Sequence, residues 1–145
     1  MSFRFPLAAV LRLRESVEKR EELALQRIQQ EIARTQQEIA ETSAVLAALH
    51  SELSAKLKKP LLAANVQMMQ AEKIENAEEK QRLIASLDAL HLKHRQQLHS
   101  YRNAHRARLM LTEMRDDQLL KYEQKQEQTL QKFLDDTFAA QKQND

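Results

Sequence analysis

The chain has 145 residues, with 23 Lys+Arg against 21 Asp+Glu for a net charge of +2, and it contains no Gly, no Cys and no Trp. Without Gly there is no phosphate-cradling loop and no dinucleotide fingerprint, and the tight hairpin turns of β-rich folds lose their best residue. Without Cys there is no disulfide, thiolate nucleophile or Cys-ligated zinc, and no apolar run approaches the roughly 18–20 residues that span a bilayer.

Ala, Leu, Glu, Lys and Arg make up 79 of the 145 residues. Joined to helical periodicity, that bias marks long helices or coiled coil. The first residues, with Arg4, Arg12 and Arg14 ahead of the first acid Glu15, loosely resemble a transit peptide, but Leu7 to Leu11 is too short for a secretory core. They read instead as a helix start, with Pro6 suited to the first helical position. A first stripe follows at Val10, Leu13, Val17 and Ala24. A clear heptad seam then runs through Ile28, Ile32, Thr35, Ile39, Thr42, Leu46, Leu49 and Leu53. Joining the two through Ala24, Ile28 and Ile32 takes consecutive steps of four, a stutter in the repeat. Helix 1 is predicted over about 7–57, roughly 75 Å at 1.5 Å per residue.

Lys58-Lys59-Pro60 breaks this helix, because proline removes a donor and pushes the preceding residue out of the α region. Asn65 is a candidate cap for the next helix. The turn is placed at 58–65 and helix 2 at about 66–140. A weaker register runs along it through Ile84, Leu87, His91, His94, Leu98, Tyr101, His105, Arg108, Thr112, Arg115, Leu119, Tyr122 and Phe133. A short turn makes neighbouring helices antiparallel. The predicted fold is therefore all-α: one long antiparallel two-helix coiled-coil hairpin over residues 1–145, with position i near 122 − i. The basic stretch 91–108 then faces Glu15, Glu18, Glu21, Glu22 and Glu31, which favours internal charge pairing over nucleic acid. Residues beyond about 121 overhang, carrying Leu130, Phe133, Leu134 and Phe138 with nothing of their own to bury against.

Catalysis finds little support. His50-Ser51 and His99-Ser100 are adjacent pairs, whose side chains diverge by about 100° on a helix. Glu75, Glu78 and Glu79 read as a solvated face, with Glu78 paired to Arg82 at i+4. Asp88, His91 and His94 lack the further ligands a metal site needs. No enzyme activity, cofactor or metal is expected.

The opening Phe3-Arg4-Phe5-Pro6-Leu7, followed by Val10-Leu11-x-x-Arg14-Glu15, resembles the start of FliJ-family proteins, soluble components of the bacterial flagellar type III export apparatus. Glu127, Gln128, Lys132 and Leu134-Asp135-Asp136 are similar to that family's Glu-Gln-Lys…Leu-Asp-Glu stretch, with Asp136 in place of its Glu. The resemblance implies a two-helix coiled coil akin to a rotary-ATPase stalk. It implies a non-catalytic protein that binds the hexameric export ATPase ring, promotes its assembly and links it to the membrane export gate. A chaperone-like escort role, contact with export chaperones and a cytoplasmic location peripheral to the membrane also follow from it. The open end, with Phe3, Phe5, Leu7, Leu11, Leu130, Phe133, Leu134 and Phe138, is the expected ATPase surface. Val45, Leu49, Val66 and Met69, near the turn, are expected at the gate on exposure reasoning alone. The competing readings are the analogous stalk of a virulence secretion system and a generic or nucleic-acid-binding coiled coil.

Overall fold

The computed structural model describes residues 2–58 and 63–144. These form two helices, α1 (Ala8–Lys56) and α2 (Ala63–Asn144), packed antiparallel as an all-α hairpin. Pro60, on which the predicted break rests, lies outside the described residues. The entry to α1 follows Pro6: the Ala8 N–H donates to the Phe5 carbonyl at 3.1 Å and the Leu11 N–H to the Leu7 carbonyl at 2.9 Å. α2 begins three residues before the expected 66, so Asn65 sits inside the helix and does not cap it. Ala63 and Ala64, the strongest helix formers, extend the helix upstream. At the other end α2 runs to Asn144, past the expected 140.

By packing, the chain divides into two compact units. The turn unit is Glu22–Ser100, and the terminal unit joins Met1–Glu21 to Tyr101–Asp145.

In the turn unit, Leu25, Thr35, Leu49, Leu53 and Leu90 are buried. Every residue of the predicted seam from Ile28 to Leu53 is buried or half-buried. The two seam threonines cost little, because each hydroxyl donates to its own helix: Thr35 to the Glu31 carbonyl and Thr42 to the Glu38 carbonyl, both at 2.9 Å. Across the pair, Lys73 Nζ lies 3.0 Å from His50 Nδ1 and Lys56 Nζ lies 3.9 Å from Met69 Sδ. The 122 − i rule puts Lys56 opposite 66, so Met69 meets it almost one turn late. The offset has a simple cause. Side chains lean toward their own helix N-terminus, so partners in an antiparallel pair must start farther along to meet.

In the terminal unit the core is Phe5, Leu11 and Ala104. The predicted stripe holds at Val17 and Ala24, which are half-buried, but fails at its start. Val10 and Leu13 are 40% and 61% exposed, while Leu11 is 4% exposed. The buried and half-buried positions Leu11, Glu18, Leu25, Ile32, Ile39, Leu46 and Leu53 repeat every seven residues, so α1 needs no stutter. A glutamate at one seam position hid this register. On α2 the predicted register is half-buried from Tyr101 to Tyr122, as expected, and ends there: 123–144 are all exposed, Phe133 included.

Candidate partner-binding surfaces

Glu18 is the seam glutamate. It reaches across the terminal unit to Arg108, whose Nε donates to Glu18 Oε2 at 2.6 Å. Both side chains are mostly covered, at 18% and 24% exposure. This hydrogen bond is the main reason that the Glu18 carboxyl is held below its ordinary value, against the opposing effect of burial; the Arg108 charge and His105 add to it. The same bond raises Arg108. His105 Nδ1 stands 3.5 Å from Glu18 Oε1 and 3.4 Å from Arg108 Nη2, stacked at 6.0 Å on Tyr101. This cluster realises one of the expected cross-hairpin charge pairs, Glu18 with Arg108, and such a pair works by fixing register. Other basic residues of the unit's 101–108 stretch, Arg102 and Arg106, face solvent.

The expected ATPase surface splits in two. Phe5 and Leu11 are buried in the unit's own core. Phe3 packs on Tyr122, with ring centroids 5.6 Å apart and planes at 48°. These aromatic and aliphatic groups hold the start of α1 onto α2 and have little face left to offer. Leu7 is 36% exposed. By contrast Leu130, Phe133, Leu134 and Phe138 are all exposed, from 42% to 67%. At 100° per residue they fall, with Thr137, within an arc of about 140°. Leu119 and Tyr122 lie on the same side, so the stripe prolongs the seam beyond the point where α1 stops covering it. This helix lives on local interactions: Gln131 donates to Asp135, and the Thr129 and Thr137 hydroxyls donate to the Lys125 and Phe133 carbonyls.

The expected gate surface in the turn unit is likewise mixed. Val45 is 43% exposed, Leu49 is buried, and Val66 and Met69 are half-buried. The residues sequence reasoning missed there are Leu57 and Ile74, each at least 60% exposed, and Met68, which the sequence offers evenly as a binding or a seam residue, is exposed too. Their signal was their position one step off the seam. An open hollow of about 530 Å³ lies against Lys56, Asn65, Met68, Met69, Glu72 and Glu75. In the acidic cluster beside it, Arg82 pairs with Glu79 at 2.6 Å and not with Glu78 as expected. Among the described residues, no three His, Cys, Asp or Glu side chains gather as they would around a metal ion, and no helix is long and apolar enough to cross a membrane.

No family model, no curated protein and no solved structure matches the chain.

Proposed function

We propose that this protein is a non-catalytic, stalk-like component of the flagellar type III protein export apparatus. It binds the export ATPase ring, promotes the ring's assembly and activity, and links it to the membrane export gate from the cytoplasmic side, with a chaperone-like escort role. Two things support this reading together: the FliJ-like opening from Phe3 to Glu15, and a helical hairpin of the kind that resemblance implies. The single observation that carries a binding role is the uncovered stripe Leu130, Phe133, Leu134 and Phe138. An amphipathic helix that presents such anchors at i, i+3, i+4 and i+8 docks in an apolar groove of a partner. The ATPase contact is therefore assigned to α2 beyond Tyr122, with Leu7 beside it, and Phe3, Phe5 and Leu11 are assigned to holding the unit together.

The test is ATP hydrolysis by the cognate export ATPase against added protein. Wild type stimulates turnover. Phe133→Ala/Phe138→Ala loses the stimulation while keeping its helicity and melting temperature. No binding and no stimulation by the wild type refutes the reading and leaves a coiled coil of another system.

A further inference from the structure

We propose that Tyr101, Arg102, His105 and Arg106 of α2, with Lys19 of α1, form a weak binding strip for single-stranded nucleic acid. Every one of these residues belongs to the terminal unit. The inference does not depend on the export reading.

Three observations carry it. The first is uncompensated charge. Residues 101–108 read Tyr-Arg-Asn-Ala-His-Arg-Ala-Arg, three arginines and a histidine with no acid among them. The sequence predicts that the acids of α1 neutralise this stretch. In the structure Glu18 takes Arg108, and the charge of Glu15 also falls on Arg108. Arg102 and Arg106 stand exposed, with no ion pair among the described residues.

The second is arrangement. At 100° per residue, Tyr101, His105, Arg102 and Arg106 lie at about 0°, 40°, 100° and 140° round α2, within about 8 Å of its length. The strip they make is aromatic along its inner edge, beside Arg108, and cationic along its outer edge. In an antiparallel pair the same sense of rotation leads both helices to the same side. Lys19, one step on from Glu18 and exposed, therefore stands on the side that His105 and Arg102 occupy and adds a third cation.

The third is stacking. The rings of Tyr101 and His105 lie 6.0 Å apart with planes at 24°, and the His105 side chain remains 41% exposed. Bases stacked on such rings, with the backbone on flanking cations, are how strands are held without sequence preference. A duplex hides its base faces, and a bilayer or an acidic peptide has none. Flat rings beside arginines therefore select a single strand among polyanions. Charge and stacking alone do not read the 2′-hydroxyl, so RNA and DNA bind alike.

The test is fluorescence anisotropy of labelled oligo-uridine and oligo-thymidine, about 12 nucleotides long, titrated with the full chain. Both bind, with dissociation constants of about 1–100 µM near physiological salt. Three phosphate contacts on a single strand give a slope of about −2 in log affinity against log salt, or about fifteenfold weaker binding at about 200 mM than at about 50 mM. Arg102→Glu/Arg106→Glu keeps its helicity and loses binding. Arg27→Glu/Arg34→Glu makes the same change of net charge on exposed arginines of the turn unit and leaves binding unchanged. His105→Ala, and an abasic strand of equal length, each weaken binding at least about fivefold. Equal losses in the two double variants, undiminished binding of the abasic strand, or displacement by polyglutamate as readily as by unlabelled oligonucleotide overturns the proposal. So does a wild type that binds neither strand at about 50 mM salt.

Discussion

Leu11→Ala and Phe133→Ala should have opposite consequences, although both residues belong to the apolar set expected at one surface. Leu11 is 4% exposed. Truncating a buried leucine removes its transfer free energy and leaves a cavity, for a loss of about 2–5 kcal/mol. A two-helix seam is open at its edges and collapses more easily than a globular core, so the loss belongs at the low end, about 2–3 kcal/mol. Phe133 is 66% exposed. Its truncation forfeits only about a third of the roughly 1.5–3 kcal/mol that full burial of such a side chain is worth. The better helix propensity of alanine returns about 0.5 kcal/mol, so the net change is close to zero. The assay is urea unfolding followed by tyrosine emission. The chain has no Trp and 2 Tyr, and both, Tyr101 and Tyr122, are in the terminal unit, so the signal reports that unit alone. With a slope of about 1–3 kcal/mol per molar urea, Leu11→Ala shifts the midpoint down by about 0.7–3 M and Phe133→Ala leaves it in place. ATPase binding moves the other way: it is lost in Phe133→Ala/Phe138→Ala and kept by the folded fraction of Leu11→Ala. Equal midpoint shifts for the two single variants would refute the division into core and surface.

The Glu18 carboxyl is held below its ordinary value of 4.5. Its stabilising effect is fully present above that value and is lost as pH falls through the lower folded-state value. The melting-temperature gap between wild type and Glu18→Gln should thus be constant from neutral pH down to about 5 and close in stronger acid; a gap unchanged at about pH 2 would count against the Arg108 pairing as its cause. Thr35→Val replaces a buried hydroxyl that satisfies only its own helix, and it should stabilise the turn unit by about 0.8 kcal/mol, read by circular dichroism; destabilisation would show that the hydroxyl matters to packing. Limited trypsin digestion should cut first after Lys125 and Lys132, where the helix has no tertiary cover, and early cleavage after Arg27 or Arg34 would contradict this.

Much of the hairpin is written in the sequence itself. A chain without Gly, rich in helix formers, with a heptad run from Ile28 to Leu53 and one proline between long periodic stretches, has few alternatives to two antiparallel helices. The same arithmetic, applied to Met1 and Tyr122, announces a stretch of α2 beyond the reach of α1. The sequence also places the acids of α1 against the bases of α2, because heptad spacing and a short turn leave little freedom in register.

Tertiary structure alone decided which apolar residues at the N-terminus are spent inside. Val10 and Leu13 fit a helical stripe as well as Leu11 does, and only the presence of α2 selects between them. Glu18 interrupts the heptad when read along the chain. It becomes a seam residue only because Arg108, 90 positions away, donates to it. Arg82 choosing Glu79 over Glu78, and Asn65 falling inside α2, are local choices between near-equal options that side-chain geometry settled. The first two share one physical reason. Periodicity fixes which residues share a face, but the partner surface decides which face is buried, and with it which phenylalanines and leucines remain for another molecule.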